Sequence, residues 1–365
     1  MRPDSSRYKA ENSLILKNGS SLNQFRIVYS FDTDRWNQFV YQHPKGSIFH
    51  TSQMMEVFKR TRNHEPLFLA AVDETGEILA LLTCVRVKTL NGLLSNLASR
   101  SIFYAEPICR EDRLGVEALA ALVAKHDHQM QKRVLFTEVR PLTDGGREKT
   151  ALTQCGYDRE GYLNYLTDLR KPIGELWRNT SNPCRANIRR GQKAGIKIED
   201  VTSEEGVETL YSLLQLTFTR ARIPLPDKSL FGQALKILQP QGMLKIFVAN
   251  YKGTPVGASA VLLYKKIMYE WYWGVERVKS VYPAECLTWH RIEWAQQNNY
   301  ELYDFGGAGW PDKPYGVRDF KAKFGGELVN YGRYRRIYSP WKFVLAEKAF
   351  ELSRGLISAR SGRDV

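Results

Sequence analysis

Two apolar stretches, each interrupted by a short polar turn, share one design. Phe68-Leu69-Ala70-Ala71-Val72 meets Asp73-Glu74-Thr75-Gly76 and returns from Ile78 to Val87, and Ile246-Phe247-Val248-Ala249 meets Lys252-Gly253 and returns from Val256 to Leu263. Strand-length apolar runs around glycine-containing turns predict two β-hairpins, the second continuing into a third strand, Met268 to Val275. In each half the period then lengthens to that of a helix, Gly115 to Met130 and Ala284 to Asn298, the latter apolar on more than one side through Leu287, Trp289, Ile292 and Trp294. Each predicted helix leads into a strand, Val134 to Arg140 and Leu302 to Gly306. A short segment, Leu152 to Tyr157 or Lys321 to Gly326, then precedes a closing strand, Tyr162 to Leu169 or Leu328 to Tyr338. Identity between the halves is slight, so the duplication rests on element order. A boundary is expected near Lys171-Pro172, where the proline starts a new helix at Ile173. The expected parts are a loose N-terminal arm (1–23), a first module (24–171), a second module (172–338) and a C-terminal helix (339–365) that packs back on the body.

A length of 365 residues supports two cores, and the net charge of +14 adds attraction to phosphates on nucleic acid, nucleotide-linked sugars or lipid headgroups. Five scattered cysteines without a Cys-x-x-Cys pair argue against a disulfide framework or a zinc site, and a cytoplasmic setting is expected. The histidines show no metal-ligand spacing, so no metal is expected. No window is apolar enough to span a membrane. The tail from Trp341 to Ile357 reads as an amphipathic helix through Trp341, Val344, Leu345, Leu352 and Leu356, with Lys342, Lys348, Arg354 and Arg360 nearby; it suits packing on the body or contact with a membrane surface.

Four constellations can carry chemistry. A basic helix, Glu175 to Gly195, puts Arg185, Arg189 and Lys193 on one face at i, i+4 and i+8, either a solvated face or a phosphate contact. A second helix, with apolar stripe Leu210, Leu213, Leu214 and Phe218, ends at Arg220 and Arg222 before Pro224; cations there satisfy the helix dipole or a substrate. The strand Tyr269-Glu270-Trp271-Tyr272-Trp273 alternates so that Tyr269, Trp271 and Trp273 face the core while Glu270 and Tyr272 face the other way, leaving Tyr272 as a satisfied half-buried tyrosine or a hydroxyl donor to a phosphate or sugar oxygen. Finally Tyr303-Asp304-Phe305-Gly306-Gly307 ends a strand in two glycines that admit another group close to the backbone. The helix that follows carries Phe320-Lys321, and a lysine beside such an opening suits an anionic or carbonyl substrate. Asp304 reads equally as a structural acid bonded to loop amides or as a catalytic group. There is no Gly-x-Ser-x-Gly, Walker loop or dinucleotide fingerprint, which weighs against hydrolases, kinases and dehydrogenases.

From Phe25 to Tyr338, the element order and the segment Tyr303 to Glu327 resemble the FemABX family, aminoacyl-tRNA-dependent peptidyltransferases of the N-acetyltransferase (GNAT) superfamily. The resemblance implies two tandem GNAT-like domains with mixed sheets flanked by helices, in the shorter form without a coiled-coil arm. It implies aminoacyl-tRNA as co-substrate, no separate cofactor, and a nucleotide- or lipid-linked muropeptide, or another amine, as acceptor. It implies Lys321 at the reacting carbonyl and the substrate phosphates, Phe320 beside it, Arg220 with its neighbour Arg222 near a substrate diphosphate, and Tyr272 as a substrate hydrogen-bond donor. An acetyl-CoA enzyme grips its pyrophosphate with a glycine-rich turn before the central helix. Here Gly274 to Cys286 and Arg110 to Gly115 lack such a turn, which disfavours acyl-CoA as donor. Two alternatives stay open: an N-acyltransferase that takes acyl-CoA through an unusual turn, and a basic RNA-binding module without turnover.

Overall fold

The computed structural model describes residues 24–88 and 99–348. In chain order the first half contains β1 (Arg26–Val28), α1 (Thr33–Gln42), α2 (Ser52–Arg60), β2 (His64–Val72), β3 (Ile78–Val87), β4 (Arg100–Phe103), β5 (Ile108–Cys109), α3 (Arg113–Met130), β6 (Phe136–Val139), α4 (Arg147–Gln154), β7 (Asp158–Glu160) and β8 (Asn164–Asp168). The second contains α5 (Ile173–Asn179), α6 (Asn182–Ala194), β9 (Lys197–Asp200), α7 (Glu204–Ala221), α8 (Ser229–Leu238), β10 (Leu244–Tyr251), β11 (Thr254–Tyr264), β12 (Ile267–Val275), α9 (Pro283–Gln297), β13 (Leu302–Gly307), α10 (Gly316–Ala322), β14 (Glu327–Val329) and β15 (Arg333–Ile337).

Local chemistry explains most of these elements. Asp73 turns the first hairpin by accepting the amides of Thr75 and Glu77, and Lys252-Gly253 turns the second with both φ values positive. Asp112 and Ser203 cap α3 and α7 by accepting the amides of Gly115 and Gly206. The single basic helix expected over 175–195 is two helices. Pro183 has no N–H to give a helix interior, so the helix restarts after Ser181 with the proline in its first turn.

The sheets differ from the expected tandem in one respect that matters for function. Each closing strand lies in the sheet of the other half: β8 pairs with β13 and β14, while β15 pairs with β6 and β7. One sheet runs β1-β2-β3-β4-β6-β15-β7 with β5 beside β3, and the other runs β14-β8-β13-β12-β11-β10-β9. Residues 161–163 carry the chain from β7 to β8, and residues 330–332 carry it back from β14 to β15. The two crossings bond to each other: the Gly332 amide donates to the Tyr162 carbonyl (3.1 Å), and the Tyr162 amide donates to Asn330 Oδ1 (3.1 Å). Gly332 has φ +74°, and a Cβ there would sit 2.9 Å from the Glu160 carbonyl, so the crossing needs a glycine.

Among the described residues, three buried clusters hold the body. One surrounds α3, one surrounds α9, and a central one, from Trp36, Val57 and Phe58 to Leu210, Phe231 and Ala260, joins the halves. In β12 a bulge opposite Ala260 and Val261 leaves Trp271 out of register and breaks the expected alternation. Tyr269, Trp271 and Tyr272 therefore pack toward the central cluster, while Glu270 and Trp273 face the helices α9 and α10.

The exchanged strand β15 is pinned by Asp127 of α3, whose carboxylate accepts from Arg336 Nη1 (2.6 Å), Tyr157 (2.7 Å), Tyr338 (2.5 Å) and His126 Nδ1 (3.0 Å). Asp127→Ala strands several buried donors at once. We expect a loss of about 3 kcal/mol and a fall in Tm of roughly 4 °C. Thermal melting followed by circular dichroism checks it, and a fall under about 2 °C would show that the carboxylate is not the anchor.

The chain is again helical from 340 to 348. It touches the body through Phe343, edge-on to Phe136 at 5.4 Å, while Trp341, Val344 and Leu345 of the expected packing stripe are exposed. That stripe therefore does not pack on the body within the described part. The expected arm (1–23) and the remainder of the expected tail helix, with Leu352, Arg354, Leu356 and Arg360, lie outside the described residues.

Candidate active site

The site forms where a parallel pairing stops. Strands β12 and β13 are in register only from Ile267↔Leu302 to Tyr269↔Asp304; beyond that Gly306 turns with φ +69°, and a cavity of about 160 Å³ opens beside the turn. Both halves line it: Phe49, Tyr104 and Arg140 from the first, Glu270, Asp304, Gly306 and Gly307 from the second, and Tyr162, Gly332 and Arg333 from the crossings. Gly307 is required here, because a Cβ would meet the Tyr162 ring at 2.8 Å.

Asp304 is 3% exposed, and its Oδ1 accepts the Gly306 amide at 2.7 Å. Burial pushes its carboxyl up to about 6, against the pull of that amide and of Lys321. Lys321, 4% exposed on α10, donates to the carbonyls of Phe305 and Gly307, the latter at 3.0 Å. Its ammonium thus braces the glycine turn from behind, with one of its three donors beyond those two bonds. Burial pulls the ammonium below its usual range, and the nearby carboxylates of Glu270 and Asp304 oppose that.

Glu270 was not a sequence candidate. Its carboxylate lines the cavity and is held by Tyr303 Oη (2.7 Å) and Arg291 Nη2 (3.2 Å). Arg140 and Arg333 were also missed: both pair with Glu138, at 2.7 and 3.2 Å, and Glu138 stays ionised down to about 2 because the arginines outweigh its burial. No local signal could have found Arg333, since only the strand exchange brings it here. The cavity is left with two acids, Glu270 and Asp304, and two cations, Arg140 and Arg333, a surround suited to an amine meeting an acyl ester.

Lys321 does not line the cavity but sits behind its glycine turn, and the other expected residues stand outside it. Phe320 stacks on Trp273 at 5.5 Å. Tyr272 packs against Phe218 and Phe231 behind it. Arg220 donates to the Val275 carbonyl at the end of β12 and to Thr217, and Arg222 caps α7 in the left-handed conformation. Arg185 folds back onto the end of α5, donating to the carbonyls of Trp177 (3.1 Å) and Arg178 (2.7 Å) and so neutralising that helix terminus. The expected row of three is thus two exposed cations on α6, Arg189, which lies over the Trp177 ring, and Lys193.

Known proteins share this fold. The acetyltransferase (GNAT) domain family matches residues 178–321. The chain is 22% identical over 292 residues to the UDP-N-acetylmuramoylpentapeptide-lysine N(6)-alanyltransferase of Weissella viridescens, covering 75% of this chain and 83% of that protein. Its fold is similar to the crystal structure of FemX (TM-score 0.66, 15% identity, 85% of this chain and 97% of that one). A tandem GNAT protein from the clavulanic acid biosynthesis pathway is similar at TM-score 0.55, with 12% identity and 87% and 99% covered. The two mixed sheets, the parted strands β12 and β13 and these matches together give the chain the fold of tandem GNAT acyltransferases, similar to that of FemX.

Proposed function

We propose that the protein transfers an aminoacyl group from charged tRNA to an amine of a peptidoglycan precursor or a closely similar nucleotide- or lipid-linked acceptor. The observation that carries this reading is a buried acid, Asp304, on the wall of a cavity shared by both modules, with the buried Lys321 bonded to the back of the glycine turn beside it. The acceptor amine attacks the ester carbonyl and a C–N bond forms. The Lys321 ammonium stabilises the oxyanion, and Asp304 takes the proton that the amine loses. As the C–O bond breaks, the proton passes to the departing ribose hydroxyl.

The start of α9, where an acetyl-CoA enzyme would hold its pyrophosphate, is closed by this chain's own residues. Gly191 of α6 sits so close that a Cβ would meet the Val281 carbonyl at 2.5 Å, and Asn187 donates to Glu285 in the first turn of α9. The buried Glu285 carboxylate already occupies the positive end of that helix dipole. An ester on tRNA needs no such pyrophosphate seat.

Basic residues Arg189 and Lys193 suit the tRNA backbone. Affinity for tRNA should fall steeply with added salt, and Arg189→Ala should make the slope of log K against log salt shallower by about 1; filter binding across salt checks it, and an unchanged slope removes Arg189 from the contact. The exposed Trp341, Val344 and Leu345, with Lys342 and Lys348, suit contact with a membrane that carries a lipid-linked acceptor; no helix among the described residues is long and apolar enough to cross one. The deciding experiment offers purified protein a panel of tRNAs charged with radiolabelled amino acids and nucleotide-linked muropeptides. Labelled amide product supports the reading. Transfer only from acyl-CoA, or tRNA binding without any product, overturns it.

A further inference from the structure

Past the glycine turn, β13 runs into a loop that places an exposed aromatic ring one side chain away from the cavity. Trp310 is 38% exposed and meets Tyr162, itself a cavity wall, edge-on at 5.2 Å. The loop is held in one shape. Arg318 donates to the carbonyls of Trp310 (2.9 Å) and Lys313 (2.6 Å), and the Leu163 amide donates to the Gly309 carbonyl (2.8 Å). Gly309 has φ +80°, and a Cβ there would strike the Tyr315 ring at 2.8 Å, so this tight packing also needs a glycine. Lys313 places its ammonium over one face of the Trp310 ring, 5.3 Å from its centroid. An exposed aromatic ring with a cation over one face can stack a nucleobase on the other and leave the cation near its phosphate.

Resting on the aminoacyl-tRNA reading above, we propose that Trp310 is the stacking platform for the terminal adenine of the donor tRNA, with Lys313 toward the adjoining phosphate. The ester under attack is on the ribose of that terminal adenosine, so its base lies within one nucleoside of the reacting carbonyl. Trp310 is three residues from Gly307, whose carbonyl Lys321 holds, and by chain reach no more than roughly 10 Å from it. The uracil of a nucleotide-linked acceptor is separated from its reacting amine by a diphosphate, a sugar and a peptide, and has no reason to sit so near.

A binding cycle on the full chain tests this, using uncharged tRNA and the same tRNA lacking only its terminal adenosine. Wild-type protein should hold the intact tRNA about tenfold more tightly. Trp310→Ala should bind the two alike, and Trp310→Phe should restore most of the difference. A difference that survives Trp310→Ala overturns the platform, as does a rise confined to the KM of the nucleotide-linked acceptor, which would assign the ring to uracil. If wild-type protein binds no tRNA at all, the donor reading itself fails; if it binds and transfers while Trp310 proves silent, only the platform fails.

Discussion

Lys321→Met is expected to lower kcat by roughly 10²–10³-fold, the usual consequence of removing one donor from a developing oxyanion. The native ammonium is buried and committed to the carbonyls of Phe305 and Gly307, so its position is set before substrate arrives. Such preorganisation is what makes a donor worth more in the transition state than in water. Burial lowers its proton affinity, and the carboxylates of Glu270 and Asp304 oppose that by favouring the cation. Methionine keeps an unbranched apolar stem, one atom shorter, but strands two buried carbonyls at about 1–3 kcal/mol each, so turnover should be read well below the melting temperature and beside tRNA affinity. Arginine should not rescue, because its planar fork differs in shape from a compact ammonium in a closed site. A folded Lys321→Met variant that binds tRNA and keeps kcat within threefold of wild type would refute the oxyanion role and leave the lysine as a brace for the turn.

How much could be foreseen from the residues follows from how local each feature is. The hairpins at Asp73-Gly76 and Lys252-Gly253, the helices ending at Met130 and near Asn298, and the strand ending in Gly306-Gly307 are written in consecutive residues. Asp304, its glycines and Lys321 could be named from the sequence because one strand, one loop and one helix bring them together. The exchange of β8 and β15 could not: an alternating pattern marks a strand without saying which sheet receives it. With the exchange went Arg333, Gly332 and Tyr162, which is why the crossings' share of the cavity was invisible. Strict alternation likewise misplaced Trp273, since a bulge at Trp271 cannot be seen in a run of aromatics. Arg185 shows a further limit: a helical row of cations does not reveal that one of them turns back to cap the preceding helix.

Asp304→Asn should lower kcat/KM by about 10²–10⁴-fold if its carboxylate accepts the proton of the attacking amine. The pH dependence separates this from a structural acid. In the wild-type protein the carboxyl is protonated below about 6 and ionised above it, so kcat/KM should rise with pH through about 6 as the base forms. Asparagine keeps the shape and the bond from the Gly306 amide but cannot titrate, so the residual activity of the variant should lose that rise. Glu270 gives an independent handle, because its negative charge helps keep Asp304 protonated. Neutralising it with Glu270→Gln should move the inflection to lower pH, whereas a group titrating on the substrate would not move. A profile with the same inflection in wild type, Asp304→Asn and Glu270→Gln would remove Asp304 from proton transfer and leave it only its bond to the glycine turn.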